Sequence, residues 1–143
     1  MAGKKDKRKR IKEPTTKSRK GSTRIPEPEV LVSTINENPT ISFLHLCEKN
    51  CQLQDLGKQD LKQLSKFLKR ISCMTWSQIR NSDGIKMKKI PTYSLAYSLP
   101  ASVSEEEEIF EMRVSDGHRL WGFQNRATFY VIWFDPTHSV CPA

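Results

Sequence analysis

The sequence predicts an α+β domain: two helices packed on a twisted antiparallel sheet, in the order β-α-α-β-β-β, preceded by a disordered basic tail. Three observations lead there. An amphipathic helical stretch covers 59–72, and a helix-start signal follows it directly. The C-terminal residues, Ile109 to Val140, read as three strands joined by two tight turns. The charge is segregated: residues 1–24 hold 11 Lys/Arg against Asp6 and Glu13, a net of +9, while residues 25–143 hold 13 Lys/Arg against 14 Asp/Glu, a net of −1.

Residues 1–29 are rich in Lys and Arg, then in Ser, Thr and Pro. They cannot bury apolar surface and are expected to be disordered. Such a tail either keeps the protein soluble or serves as an electrostatic arm for RNA, DNA or an acidic partner. Residues 30–143 are long enough for one modest core. No stretch approaches the roughly 20 apolar residues of a membrane span. The basic N-terminus lacks the apolar run of a signal peptide, so a cytoplasmic protein is expected. Cys47, Cys51, Cys73 and Cys141 do not carry the spacing of a zinc knuckle. They read as idle thiols in a reducing compartment.

The stretch 30–38 is a short apolar patch open to a strand, a helical turn or a linker. Ile41 to Cys47 reads as the first strand, with Ile41, Phe43 and His45 on one face and His45 structural. In Gln59 to Ser72, Leu61, Leu64, Leu68 and Ile71 form an apolar stripe, with Lys58, Lys62, Lys66, Lys69 and Arg70 mostly off it. That charged face is either simply solvated or tracks phosphates. Thr75 and Gln78 fit a capping box that starts a second helix. Residues 81–108 read as irregular, with a poorly signalled strand or turn around Tyr93 to Ser98. The run Glu105 to Glu108 reads as a solvated loop.

Phe110, Met112 and Val114 alternate with Glu111 and Arg113, giving one apolar and one polar strand face. The second strand runs from His118 to about Phe123, and Asn125-Arg126 fall in the next turn. Thr128 to Phe134 is apolar on both faces, which places it inside the sheet. Pro136 ends it, since proline cannot continue a ladder.

The first hairpin allows two registers. A two-residue Asp116-Gly117 turn sets Arg113 against Leu120. A three-residue turn, with Gly117 as a bulge at positive φ, sets Arg113 against Arg119 and Met112 beside Leu120. We prefer the second. Facing arginines repel, and a bound phosphate would turn that cost into a benefit. Alternatively each arginine pairs with a nearby carboxylate: Glu111, Asp116 or Asp135. His138 follows the last strand, and an imidazole can take or give a proton near neutrality. Asp135 beside it is a candidate to orient it. His118, next to the turn, is a weaker candidate expected near solvent.

The segment RVSDGHRLWGF…TFYVIWFDPTHSV, with the element order before it, resembles the RelE/ParE toxin superfamily over 41–143. The resemblance implies two helices on a twisted sheet, with the active site on an exposed sheet face. It implies the toxin of a bacterial toxin–antitoxin system that cleaves mRNA, often on the ribosome, without metal or cofactor. A base would remove the 2′-hydroxyl proton, the 2′-oxygen would attack phosphorus, and an acid would protonate the leaving 5′-oxygen. By position, Arg113 and Arg119 would hold the phosphate and His138 would be acid or base. Lys88 and Lys89 would add charge, and His118 and Asp135 would line the substrate. The expected partners are RNA and an antitoxin, with no membrane. Two alternatives stand beside this reading: a non-catalytic module that binds nucleic acid or protein through its basic arm, and a ParE-like gyrase inhibitor.

Overall fold

Lys58–Ser72 forms α1, and its apolar stripe explains why. Leu64, Phe67 and Ile71 are buried, while Lys58, Lys62, Lys66 and Lys69 are exposed. The Gly57 amide donates to the Asp60 carboxylate at 3.2 Å, which satisfies an orphan donor and sets a negative charge at the positive helix end. The shorter α2 spans Trp76–Arg80. Its capping box is complete: the Gln78 amide donates to Thr75 Oγ1 at 3.2 Å, and the Thr75 amide to Gln78 Oε1 at 2.9 Å. These assignments come from a computed structural model, which describes residues 33–142. The tail at 1–29 lies outside the described residues.

The described chain is α+β, with these two helices and a five-stranded mixed sheet. The strands are β1 (Thr40–Ser42), β2 (Lys88–Ile90), β3 (Ile109–Arg113), β4 (Arg119–Asn125) and β5 (Thr128–Asp135). Their order is β1-β5-β4-β3-β2. The meander β3-β4-β5 is antiparallel, and β2 adds antiparallel to β3. The edge strand β1 runs parallel to β5, so the sheet is not purely antiparallel as expected. Within the stretch read as irregular, Lys88–Ile90 forms a strand, and the segment around Tyr93 to Ser98, read as a strand or turn, holds a 3-10 turn at Thr92–Ser94 and no strand.

The first strand is also shorter than expected. It stops at Ser42, whose Oγ accepts the Leu44 amide at 3.2 Å and turns the chain outward. Phe43 and Leu44 are left exposed. His45 therefore sits in a loop. Its ring packs against Phe123 and Tyr130, and Nδ1 pairs with Ser102 Oγ at 2.9 Å.

Each sheet face carries a core. On one, Phe110, Met112, Leu120, Phe129, Val131 and Phe134 meet Leu64, Phe67 and Ile71 of α1 and Trp76 and Ile79 of α2. On the other, Ile109, Trp121, Phe123, Ile132 and Trp133 lie under Cys47, Val103 and Val140, with Leu95, Tyr97 and Leu99 packed against them. The second face is thus roofed by loops. Among the described residues, the part of this face over Trp121 and Trp133 is covered, not open as the resemblance implies.

A bulge adjusts this packing. Trp121 pairs with Trp133 and Gly122 with Val131, so Ile132 is an extra residue in β5. As a result Ile132 and Trp133, neighbours in sequence, both enter the second core. Gly122 has no alternative here: a Cβ would lie 2.0 Å from the Tyr130 carbonyl oxygen. Among the described residues no helix is long and apolar enough to cross a membrane.

Candidate functional site

The hairpin register sets Arg113 opposite Arg119 and Met112 opposite Leu120. The turn differs from the one expected. Gly117 does not adopt a positive φ. Instead the amides of Val114 and Ser115 both donate to the His118 carbonyl, at 3.0 and 3.2 Å.

Cross-strand partners share a sheet face. Arg113, Arg119 and Asp135 therefore lie in one row, and Lys88, Glu111, Trp121 and Trp133 in the next. Charge is concentrated at the end of the second face, beyond the two tryptophans.

Within it, the two arginines have different fates. Arg119 is only 6% exposed. Its Nε donates to Glu111 Oε1 at 3.1 Å, and Nη1 donates to the carbonyls of Ser115, Asp116 and His118 at 2.6, 3.0 and 3.2 Å. Of the carboxylates considered as local partners, Glu111 is the one that takes it. Arg119 thus ties the hairpin turn to β3 and is not free to grip a ligand with Nε or Nη1. Arg113 is half-buried, and no carboxylate among the described residues lies within ion-pair distance of it. Its Nε is buried without a hydrogen-bond partner.

Asp135 is fully buried. It accepts from the Ser139 amide at 2.9 Å, the Ser139 hydroxyl at 3.1 Å and the Val140 amide at 2.9 Å. These bonds fold the chain back after Pro136 and hold His138 in a left-handed backbone at φ 59. The carboxylate that faces the imidazole is not Asp135. His138 Nε2 lies 3.9 Å from Glu111 Oε1, the same oxygen that Arg119 grips. The His138 side chain is 33% exposed, so solvent reaches it.

His118 is only 1% exposed, contrary to the solvent-facing position expected. Neither ring nitrogen has a hydrogen-bond partner among the described residues. Burial pushes its pKa down, Asp60 and Asp135 oppose the shift, and Arg119 adds to it. Exposed Lys88 shares a face with Glu111, its cross-strand partner. Lys89 points to the other face, opposite Phe110, and pairs with Glu108 at 3.0 Å.

Lys88, Arg113 and His138 thus surround the buried Glu111–Arg119 pair, and Lys89 and His118 stand apart. The central residue is Glu111, considered from sequence only as a possible arginine partner. Its alternation with Arg113 and the preferred register already placed it diagonal to Arg119. The arrangement suits an anion: accessible cations border a pair whose charge is already balanced. Among the described residues no group of three or more His, Cys, Asp and Glu converges to hold a metal. A cavity of about 730 Å³ lies under the 92–105 loop, lined by residues outside this cluster. Compared with known proteins, the chain matches no family model, no curated protein and no solved structure.

Proposed function

We propose that this chain is the toxin of a bacterial toxin–antitoxin pair, a cytoplasmic RelE-type endoribonuclease that cleaves mRNA through its own 2′-hydroxyl. The observation that carries the reading is Arg113: a half-buried arginine with no carboxylate within ion-pair distance among the described residues, facing an arginine that Glu111 already neutralises, with His138 approaching that same Glu111. Arg113 and Lys88 hold the scissile phosphate and stabilise its added charge as phosphorus becomes five-coordinate. His138 takes the 2′-hydroxyl proton. The 2′-oxygen bonds to phosphorus, and the bond from phosphorus to the 5′-oxygen breaks. The proton passes from His138 through water to the departing 5′-oxygen, leaving a 2′,3′-cyclic phosphate and consuming nothing.

Glu111 orients His138, its carboxylate lying 3.9 Å from Nε2. Arg119 acts through Glu111 as a positioning residue. An antitoxin would act by covering Arg113 and His138.

The test uses purified protein and two RNAs that differ at one position. The reading predicts cyclic-phosphate ends from the all-ribose RNA and no cleavage at a site whose 2′-hydroxyl is replaced by hydrogen. Equal cleavage of both would remove 2′-oxygen attack.

A second reading, distinct from binding through the basic arm, is that the α1 face tracks phosphates, and one feature favours it. Lys58, Lys62, Lys66 and Lys69 lie on the exposed side of α1 at helical spacing. With that face alone in use, RNA would bind with log K falling against log salt and would stay intact.

A further inference from the structure

Outside this site, the short loop Glu48 to Asn50 is pinched between two cysteines. The Cys47 amide donates to the Ile132 carbonyl at 2.9 Å, and the Phe134 amide donates to the Cys51 carbonyl at 2.9 Å. In a regular parallel ladder a single residue makes both bonds, donating to one neighbour of its partner and accepting from the other. Here that role is divided. Cys47 supplies the donor and Cys51 the acceptor, on either side of Trp133. The two cysteines together take the place of one strand residue beside Trp133, and Cys47 is among the groups that act on the Cys51 thiol; a disulfide needs Cα atoms roughly 4.4–6.8 Å apart. Cys51 makes the return possible with a left-handed backbone at φ 49.

Both side chains face the same core. Cys47 is buried in the second cluster and Cys51 packs against it, and both are free thiols. We propose that Cys47 and Cys51 form a reversible disulfide that closes this loop. Under a hydroperoxide, one thiolate attacks the O–O bond and becomes a sulfenic acid, releasing water or an alcohol. The second thiol attacks that sulfur and expels water. Two thiols are oxidised by two electrons and the peroxide is reduced by the same two.

Burial raises the Cys51 thiol above its ordinary value, the largest of several influences, so little of it is thiolate at neutral pH. Closure therefore speeds up as pH rises. The disulfide also has a reach. Cys51 Sγ lies 3.5 Å from Ser139 Oγ, and Ser139 is held by Asp135 in the turn that carries His138. Drawing the sulfur to Cys47 removes that contact. An effect on His138 chemistry rests on the proposed function, whereas the disulfide itself does not.

The experiment oxidises the full chain with hydrogen peroxide, blocks remaining thiols with iodoacetamide and maps peptides by mass. The expected result is a linked Cys47–Cys51 peptide two hydrogens lighter than the reduced pair, restored by dithiothreitol and formed faster at higher pH. In a folded Cys51→Ser variant, Cys47 should form no intramolecular link. Full alkylation of Cys47 and Cys51 after oxidation, or a link from Cys51 to Cys141, would overturn the proposal.

Discussion

Arg113 and Arg119 face each other across β3 and β4, and among the described residues a carboxylate holds Arg119 and none holds Arg113. Like charges directly opposite one another destabilise a ladder. Glu111 removes that cost on one side only, so the pair is asymmetric: one arginine builds the hairpin and the other keeps unused donors. Single-residue changes should separate the two roles.

Arg119→Ala strands the Glu111 carboxylate at 5% exposure and opens the turn. Loss of one partner from a buried pair costs about 3–5 kcal/mol. The double variant Glu111→Met with Arg119→Met should lose less than either single change. Urea unfolding measures both. A cost below about 1 kcal/mol for Arg119→Ala would mean that the pair does not hold the hairpin.

Gly122→Ala should be among the most damaging small substitutions in the chain. The new methyl would meet the Tyr130 oxygen at 2.0 Å and the Phe129 ring at 2.9 Å, in the middle of the bulged pair. Overpacking of this kind costs about 1–3 kcal/mol or more, and here backbone must move. Thermal unfolding followed by circular dichroism reads the loss. A melting temperature equal to wild type would contradict the close approach.

His118 makes stability depend on pH with a defined sign. Its folded pKa lies below the ordinary 6.5, so at mildly acid pH the unfolded chain binds a proton that the folded chain does not. Stability is unaffected above that ordinary value. It declines as pH falls through 6.5 toward the depressed folded value. His118→Leu should flatten this part of the profile in urea titrations at successive pH values. An unchanged slope would assign the effect to other groups.

Thr75→Ala removes the side-chain acceptor of the Gln78 amide at the start of α2. The expected loss is about 1 kcal/mol, measured by urea unfolding. Thr75→Ser should retain most of that stability. Equal losses for both would point away from the cap.

Much of this fold was legible from residue pattern. The Leu64–Ile71 stripe, the Thr75–Gln78 box and the alternation in Ile109 to Phe134 each reflect a local rule, and the elements appear where those rules put them. The hairpin register followed from side-chain faces alone. What was hidden depends on distant partners. Lys88–Ile90 has no alternation of its own and is a strand only because β3 offers it an edge. Leu95, Tyr97 and Leu99 alternate with Ala96 and Ser98 yet form no strand, and nothing local shows that they and Val103 roof a sheet. At the site, Arg113 and His138 were legible by type and position. The reach from His138 to Glu111 depends on how the C-terminal turn folds back, which Asp135 decides through bonds to Ser139 and Val140.

The most direct measurement is growth on induced expression of wild type, Arg113→Ala and His138→Ala, with cellular mRNA ends mapped by primer extension. Both variants are first checked for folding by circular dichroism, since Arg113 and His138 are only half-buried and neither is expected to carry the core. The account predicts arrest and new mRNA ends with wild type, and neither with the two folded variants. Arrest with intact mRNA, or arrest that persists in both variants, would contradict a nuclease site at Arg113 and His138.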